Sequence, residues 1–429
     1  MQATRAISIS PSRGWSFCVD LACIIVMLFF PALFIVGCIR TPSDGTAADQ
    51  EPVSEWRDGK LVLGSPSLTA GIPGNGPLTP EEIRNWLSRD DIHEPLHFVL
   101  PVGLIDAESL VSIPPGNPLT RAKIELGRQL FFDRRLSEYG TMSCATCHMP
   151  EQDFTAHANM PGSHLNPPVC FNRIFSDRQS WDGRDDSLEQ QVEGPITNPL
   201  EMGMSIEGCA SRLASIEGYR LQFEAVFGRL DFDVVAEALA SFQRSLVTGP
   251  SPWDYRRLLA QYAARASESL SVEEQQLVQA LKDGARDHPM SAEAIRGEAL
   301  FFSERTGCYK CHCGPNLTDE MYHNVGAGME GDNEQLGRYK YSQRDEDRGA
   351  FKTPTLRNVA RTSPYMHNGQ FHTLGEVVDW FDRGGYGHSD LDRSIRPLNL
   401  TLDEKRDLIA FHEALTGPLP PVEIARLPE

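Results

Sequence analysis

The sequence predicts an all-α fold built from two similar halves, and three observations support this prediction. A pentapeptide of the form Cys-x-x-Cys-His occurs twice, at residues 144–148 and 308–312. A similar apolar segment precedes each copy, at residues 127–132 and 297–302. The alternation of polar and apolar residues that is typical of strands is nearly absent. We therefore expect mostly helices, arranged in a similar way around each motif.

The first 38 residues are predicted to be a lipoprotein-type signal segment. Arg5 and Arg13 form a weakly basic beginning, and a mostly apolar run follows at residues 21–37. The run leads into Cys38 in a context that resembles the cleavage box of bacterial lipoproteins, where the cysteine is lipidated. An uncleaved anchor is the alternative, although the run is slightly shorter than the ~20 apolar residues of a comfortable span. Both interpretations predict an exported protein that is anchored to the membrane and faces the periplasm.

Residues 39–95 are predicted to be a flexible tether. This stretch is polar and rich in proline and glycine, most clearly at residues 41–45 and 71–77. Such a composition is typical of a linker. It would hold the rest of the protein away from the membrane.

The helices of the remaining chain can be placed from their apolar periodicity. Apolar residues recur at near-helical spacing ahead of each pentapeptide, and Thr120 and Ser291 stand where the N-caps of these two helices belong. Four further helices are predicted at residues 232–246, 272–285, 374–381 and 402–415. We place an N-terminal domain at 96–270 and a C-terminal domain at 271–429, with Pro250 and Pro252 marking the crossover.

The pentapeptides are the attachment signature of c-type haem. Cys144 and Cys147 can add to the two vinyl groups of one haem, and His148 then provides an axial ligand to the iron. Cys308, Cys311 and His312 would do the same for a second haem. Half of a zinc site or a redox-active thiol pair is the alternative. Zinc would want a second ligand pair nearby, and a redox pair does not need the histidine. The sequence therefore predicts two cytochrome c-like domains with two covalently bound haems.

The net charge and the cysteine count indicate which partners and which disulfides can be expected. The formal net charge of −19 argues against nucleic acid as a partner, because an acidic surface would repel it. Of the ten cysteines, four belong to the haem motifs and three to the N-terminal apolar segment. Cys170 and Cys209 could pair in an oxidising compartment, but Cys313 leaves an odd thiol, so the count does not force a disulfide.

From about residue 117 to 417 the chain resembles the bacterial di-haem cytochrome c peroxidases, including their MauG-type branch. The resemblance rests on specific motifs in both halves. They are Leu-Phe-Phe-Asp-Arg-Arg-Leu at 130–136, Trp-Asp-Gly-Arg at 181–184, Glu-Gln-Gln-Val-Glu-Gly-Pro at 189–195, Asn-Pro-Leu-Glu-Met-Gly at 198–203, residues 349–358, Pro-Tyr-Met-His-Asn-Gly at 364–369, Arg-Gly-Gly at 383–385 and residues 413–417.

The resemblance implies that peroxide reacts at the N-terminal haem and that the C-terminal haem stores and relays electrons. By position, Glu201 corresponds to the family's acid–base residue, Gln191 to its pocket amide and Pro195 to the proline that lines the pocket. Trp181 corresponds to the tryptophan between the two haems. A carboxylate can move a proton from one peroxide oxygen to the other, and a neutral amide can orient the peroxide. Without the flanking motifs, these side chains would be taken for ordinary loop or core residues.

The resemblance also implies a calcium ion between the domains. In the family it is held by an asparagine side chain and two backbone carbonyls, which correspond here to Asn166, Thr362 and Pro364. Ligation by oxygen alone suits calcium.

The chain departs from the family at the second ligand of the C-terminal haem. This ligand is Met in the peroxidases and Tyr in the MauG branch, whereas the corresponding residue here is Phe381, which cannot bind iron. Either the second haem lacks a protein ligand on that side, or Met366, Tyr386 or His388 replaces it. A second departure is in the short loop after His148. Neither of its histidines, His157 and His164, is at the position where some peroxidases cap the first haem, so we expect that haem to be open at rest.

We therefore expect an enzyme of the cytochrome-c peroxidase type that reduces hydrogen peroxide with electrons from a small c-type cytochrome or a cupredoxin. One alternative is a MauG-like oxidase that modifies Trp or Tyr of a partner protein. Another is a di-haem electron-transfer protein without catalysis, against which the intact pair of Gln191 and Glu201 argues. A homodimer is one assembly that the resemblance allows.

Overall fold

Helices dominate the structure, a computed structural model that describes residues 56–57, 59–156, 165–263, 265, 270–329, 335–387 and 390–429. The predicted signal segment, the first part of the tether and the loop residues His157 and His164 lie outside the described residues. Among the helices of the described part, none is long and apolar enough to cross a membrane.

The described helices and strands follow one another in this order. The helices are α1 Pro80–Leu87, α2 Arg121–Phe132, α3 Cys144–Cys147, α4 Leu188–Gln191, α5 Glu193–Thr197, α6 Ile206–Ala214, α7 Glu217–Phe227, α8 Phe232–Ser245, α9 Pro252–Ala263, α10 Val272–Asp287, α11 Ala292–Phe301, α12 Tyr339–Ser342, α13 Leu374–Asp382 and α14 Leu402–Glu413. The strands are β1 Trp56–Arg57, β2 Lys60–Val62, β3 Phe98–Val99, β4 Tyr322–His323 and β5 Phe351–Lys352. β2 pairs with β1 antiparallel and with β3 parallel, and β4 pairs with β5 antiparallel. The all-α prediction is therefore corrected by two small sheets of two- and three-residue strands, too short to give a periodic signal.

The predicted helices are confirmed with their boundaries nearly unchanged. Thr120 caps α2 by accepting a hydrogen bond from the backbone N–H of Lys123, and Ser291 caps α11 through Ala294. The four helices predicted further along the chain correspond to α8, α10, α13 and α14. An apolar stripe with a capping residue at its start therefore located these helices correctly.

The two halves repeat one helix crossing. α2 packs against α8, and α11 packs against α14. At each crossing a glycine lets the backbones meet, because a side chain on Gly127 would overlap the carbonyl of Ala238, and one on Gly297 would overlap the carbonyl of Asp407. The duplication read from the sequence therefore extends to the tertiary contacts.

Two hydrophobic cores lie around these crossings. The first takes its buried residues from Leu61 to Val247, and the second from Trp253 to Leu415. The predicted domain boundary at residue 270 is therefore too late, because Trp253 of α9 already packs on Phe302 and Phe411 of the second core. The change of core occurs at the predicted proline crossover.

The predicted tether is wrong for most of its described part. Leu61, Leu63 and Leu68 are buried in the first core, and Ile72, Leu78 and Ile83 form a smaller cluster beside α7. Gly64 turns the chain at a φ of +84°, with no room for a side chain beside Val247. Here glycine and proline shape a packed segment instead of a linker.

The last residues of the chain belong to the first half, which corrects the predicted extent of the C-terminal domain. The backbone N–H of Leu78 donates to Leu427, and the side chain of Thr69 donates to the carbonyl of Pro421 at 2.7 Å. Arg426 is buried, donates to the carbonyl of Ile72 at 2.8 Å and pairs with Glu82 at 2.7 Å. The chain thus returns from the second core to close over the first.

Candidate active site

Each pentapeptide ends in a histidine whose ring is fixed by a backbone carbonyl. Nδ1 of His148 lies 3.2 Å from the carbonyl oxygen of Phe154, and Nδ1 of His312 lies 3.1 Å from that of Leu317. A carbonyl can only accept, so Nδ1 carries the hydrogen and Nε2 keeps its lone pair. Desolvation lowers the pKa of both histidines to about 4, which keeps the rings neutral. Both are therefore prepared as iron ligands, and this arrangement fits a haem at each motif.

The cysteines of the motifs are free to react with haem. All seven cysteines in the described part of the chain are free thiols, including the buried Cys170 and Cys209. Desolvation raises the pKa of Cys144 to about 12 and that of Cys147 to about 11, where the carboxylate of Glu201 adds to the effect. The thiols therefore stay protonated, as expected of groups that end in uncharged thioethers.

Aromatic side chains of the helix crossings lie in the core beside each motif. Phe131 of α2 lies 6.5 Å from the ring of His148 and 5.2 Å from the ring of Phe242 on α8. In the second half Phe301 takes the place of Phe131 and lies 5.0 Å from Phe411. The helix crossings thus supply an apolar wall beside each motif, as a haem requires.

Three elements present the predicted distal residues. α4 ends at Gln191, because Pro195 has no backbone N–H to donate to the carbonyl four residues earlier. α5 carries Pro195, whose carbonyl accepts from the backbone N–H of Met202 at 3.2 Å, next to Glu201. Glu201 lies close enough to the first motif for its charge to raise the pKa of Cys147. The structure therefore brings Glu201 and Pro195 together beside the first haem motif.

Gln191, the third predicted pocket residue, ends α4. It is half-buried at the end of α4, and its side-chain amide has no hydrogen bond to another described residue. The amide is therefore available to a ligand in the pocket.

Trp181 lies between the two halves. Its indole N–H donates to the carbonyl of Asn166 at 2.7 Å, and its own carbonyl accepts from the backbone N–H of Lys352 at 2.8 Å. The backbone N–H of Asn166 in turn donates to His367 of the second half at 2.7 Å. Trp181 thus contacts segments from both halves of the molecule.

The predicted calcium ligands Asn166 and Pro364 are neighbours. The side-chain nitrogen of Asn166 donates to the carbonyl of Pro364 at 2.6 Å, whereas its oxygen Oδ1 is buried and has no hydrogen-bond partner among the described residues. A buried amide oxygen without a partner is costly. Rotation of the amide by a half turn would direct this oxygen and the Pro364 carbonyl to one point, so the two residues fit a cation. Thr362 ends the neighbouring 3-10 turn.

On α13, Phe381 is half-buried, and Val378 of the same helix belongs to the core against which Cys308 packs. Trp380 is buried instead, and its indole N–H donates to Val325 at 2.9 Å. Of the substitute ligands considered above, Met366 is half-buried with a φ of +70°, Tyr386 is 43% exposed and His388 lies outside the described residues. Burial and backbone geometry alone therefore do not select one of these three side chains as the iron ligand in place of Phe381.

A third group of candidate metal ligands lies next to the second motif. In the described part of the chain, Cys311, Asp319 and His323 bring one ligand atom each within 4.8 Å of one another. Cys311 is expected to be bound to haem, and both ring nitrogens of His323 are already paired, with Asp319 at 2.8 Å and Asp392 at 2.7 Å. Hydrogen bonds to Asp319, Cys311 and Asp392 raise the pKa of His323. We interpret the group as a partly buried ion network next to the second motif.

Two features of the site were not predicted from the sequence. Asn198 donates to Glu201, and Arg244 of α8 binds Glu189 of α4. Asn198 and Glu189 both belong to family motifs, at residues 198–203 and 189–195, but only the three-dimensional packing shows which residues they bind.

Comparisons with known proteins agree with these features. The family model for di-haem cytochrome c peroxidases matches residues 121–261. The methylamine utilization protein MauG of Methylorubrum extorquens is 36% identical over 327 residues, which cover 73% of this chain and 84% of that protein. The cytochrome c551 peroxidase of Nitrosomonas europaea is 31% identical over 331 residues, or 75% of this chain and 88% of that protein.

Solved structures give the same result. A MauG-like protein associated with microbial copper homeostasis superposes with a TM-score of 0.60 at 28% identity, covering 72% of this chain and 93% of that protein. The diheme peroxidase BthA from Burkholderia thailandensis has a TM-score of 0.54 at 21% identity, with 74% and 93% covered, and shows the shared fold.

Proposed function

Because the chain belongs to the di-haem cytochrome c peroxidase family, which includes the MauG proteins, it is an oxidoreductase with two c-type haems, and we propose that it reduces hydrogen peroxide to water beside Cys144 and Cys147. The position of Glu201 next to the first haem motif is the observation that carries this proposal. A carboxylate there can exchange protons with a ligand on the distal side of the haem.

Each pocket residue has a separate role in the proposed reaction. The bound haem supplies the metal at which the oxygen–oxygen bond of peroxide is reduced. Gln191 offers an amide donor that orients the peroxide without competing for its proton. Glu201 moves a proton from one peroxide oxygen to the other. Pro195 lines the pocket. Because its ring cannot bind iron, it would leave the position for peroxide open. In total, one peroxide takes up two electrons and two protons and leaves as two water molecules.

Electrons are proposed to enter through the second haem and to reach the first by way of Trp181. The support is the contact of Trp181 with Asn166 on one side and with Lys352 on the other. Calcium bound to Asn166, Thr362 and Pro364 would hold this junction in place. Its support is the buried, unpartnered oxygen of Asn166.

A second candidate is a MauG-like oxidation of Trp or Tyr in a partner protein. The sequence identity to the MauG protein of Methylorubrum extorquens favours it. Phe381 favours neither reaction, because it replaces both the methionine of the peroxidases and the tyrosine of the MauG branch. The same pocket chemistry would serve both reactions, and the two differ in what supplies the electrons.

The setting of the enzyme is also part of the proposal. The N-terminal segment that ends at Cys38 supports an exported protein with a lipid anchor that faces the periplasm. A small c-type cytochrome or a cupredoxin would be the electron donor there. A homodimer remains a prediction of the resemblance.

Replacing Glu201 tests the proposed function. Glu201→Gln keeps the size of the side chain and removes the group that carries the proton. Acid–base groups contribute about 10²- to 10⁴-fold, so peroxide reduction by the haem-loaded protein should fall by that factor with both haems retained. Glu207→Gln, an exposed position in the first turn of α6, is the matched control. A loss of about threefold or less in Glu201→Gln would contradict the assignment.

A further inference from the structure

We propose that Asn198 is a positioning residue that holds the carboxylate of Glu201 in its working orientation. This inference rests on the proposed function, because it assigns a partner to the residue expected to move the proton. It concerns the turn at residues 198–203, which connects α5 to α6.

Asn198 organises the backbone of this turn. Its carbonyl accepts hydrogen bonds from the backbone N–H groups of Glu201 and Gly203, both at 2.9 Å. Gly203 has a φ of +63°, which an L-residue adopts only with strain. The backbone N–H of Asn198 donates to Gly194 of α5 at 3.0 Å. The turn is therefore closed on itself and fixed to the helix that carries Pro195.

Both the oxygen and the nitrogen of the Asn198 side chain form hydrogen bonds. Its oxygen Oδ1 accepts from the backbone N–H of Leu200 at 3.0 Å, and its nitrogen Nδ2 donates to Oε1 of Glu201 at 2.8 Å. Because a backbone N–H can only donate, the bond to Leu200 fixes which end of the amide is the oxygen. The end that faces Glu201 is therefore the donor. One oxygen of Glu201 is thus held, and the other is left to exchange the proton.

The charged groups near the turn leave the amide of Asn198 as the side-chain hydrogen-bond donor to Glu201 among the described residues. Titratable groups near the turn include Cys147, which becomes an uncharged thioether in the haem protein, and Glu138, whose backbone N–H donates to Met202 at 2.8 Å. Arg212 of α6 is the nearby cation, and it donates to the carbonyls of Ser137 and Glu138. No Lys or Arg in the described part of the chain pairs with Glu201. A neutral donor can orient the carboxylate without binding it so strongly that the proton is lost to the reaction.

Asn198→Asp separates positioning of Glu201 from support of the turn. An aspartate keeps an oxygen for the N–H of Leu200, so the turn retains its bond. Its second oxygen then faces the carboxylate of Glu201, and two carboxylates in contact share one proton. The acidic limb of the pH profile for peroxide reduction should therefore move up by at least about one pH unit. Haem content and melting temperature should remain those of the wild type.

The controls distinguish failure of this inference from failure of the proposed function. Asn85→Asp adds the same charge at an exposed position of α1 and should leave the pH profile unchanged. If Glu201→Gln is inactive and Asn198→Asp has the wild-type profile, Asn198 does not position Glu201. If Glu201→Gln is fully active, the proposed function fails and this inference fails with it.

A second variant covers the case in which Asn198→Asp does not fold. Asn198→Ser can still accept from Leu200 but is too short to reach Glu201. A hydrogen bond to a charged group is worth at least about a tenfold change, so peroxide reduction should fall by that factor or more in the haem-loaded variant. A rate equal to that of the wild type would overturn the inference.

Discussion

Phe381 is the residue at which we expect this chain to depart from the family, because the corresponding ligand of the second haem is Met or Tyr there. A phenyl ring cannot bind iron, so the second haem would lack a protein ligand on this side unless Met366, Tyr386 or His388 supplied one. We therefore predict that the oxidised second haem is high-spin and binds added cyanide or imidazole. Phe381→Met should make it low-spin and raise its reduction potential, because a thioether favours the reduced iron. Electron paramagnetic resonance and a redox titration of the haem-loaded protein would measure both changes.

Two variants provide the controls for this prediction. Phe381→Leu has a side chain of similar size to methionine without the sulfur and should leave the spin state as in the wild type. Phe381→Tyr should give a low-potential, phenolate-bound iron. A second haem that is low-spin and resists ligands in the wild type would contradict the prediction and point to Met366, Tyr386 or His388 as the ligand.

Among the helices near the site, α4 has only four residues, and a partly buried ion pair holds it in place. Arg244 of α8 binds both oxygens of Glu189, at 2.6 and 2.9 Å, and the amide of Asn117 donates to the same carboxylate at 2.9 Å. The arginine side chain is 4% exposed and the glutamate 19%. Since Gln191 lies two residues beyond Glu189, this pair fixes the position of the short helix that carries Gln191.

Arg244→Met should therefore destabilise the protein and weaken the pocket. Leaving a buried carboxylate without its partner costs about 3–5 kcal/mol, and we expect roughly 3 kcal/mol, since Glu189 is partly exposed. The matched control is Arg256→Met. Its partner Glu298 is also 19% exposed, but Arg256 is 46% exposed, so a loss of about 1 kcal/mol or less is expected. Denaturant unfolding would measure both, and equal losses would contradict the prediction.

The pH dependence of this effect follows from the pKa of Glu189. Burial opposes its ionisation, but Arg244 and Asn117 outweigh burial and lower the pKa of Glu189 below its usual value. A carboxylate with a lowered pKa contributes stability above its unfolded pKa of about 4.3 and loses it as the pH falls through the folded value. The difference in the free energy of unfolding between wild type and Arg244→Met should thus be largest near pH 7 and decrease below about pH 4.

The sequence predicted elements that carry a local signal and missed those that depend on distant contacts. The helices α8, α10, α13 and α14 each have an apolar stripe that is sufficient to locate them. The segment at 60–95 has no such stripe, and its burial depends on partners such as Val247 and Leu427, far away along the chain. In the same way, motif matching identified Glu201, but the partner role of Asn198 depends on a turn geometry that spacing alone does not give.

At the scale of the molecule, the two halves are similar in their helix crossings and different in what surrounds them. Residues 60–95 and the last residues of the chain both pack on the first half. Arg357 of the second half donates to the carbonyl of Gly103 in the first half at 2.9 Å, and a buried ion pair at 2.8 Å with Asp254 holds its guanidinium in place. The half proposed to meet peroxide is therefore the more enclosed one, and it is joined to the other half by buried polar contacts.

The central claim is that this di-haem protein reduces peroxide with electrons from a donor. The most direct test is a titration of the haem-loaded protein with hydrogen peroxide in the presence of a reduced small c-type cytochrome. We predict that two donor molecules are oxidised for each peroxide consumed and that this turnover is lost in Glu201→Gln and retained in Glu207→Gln. Consumption of peroxide without oxidation of the donor, or donor oxidation that is unchanged in Glu201→Gln, would contradict the account.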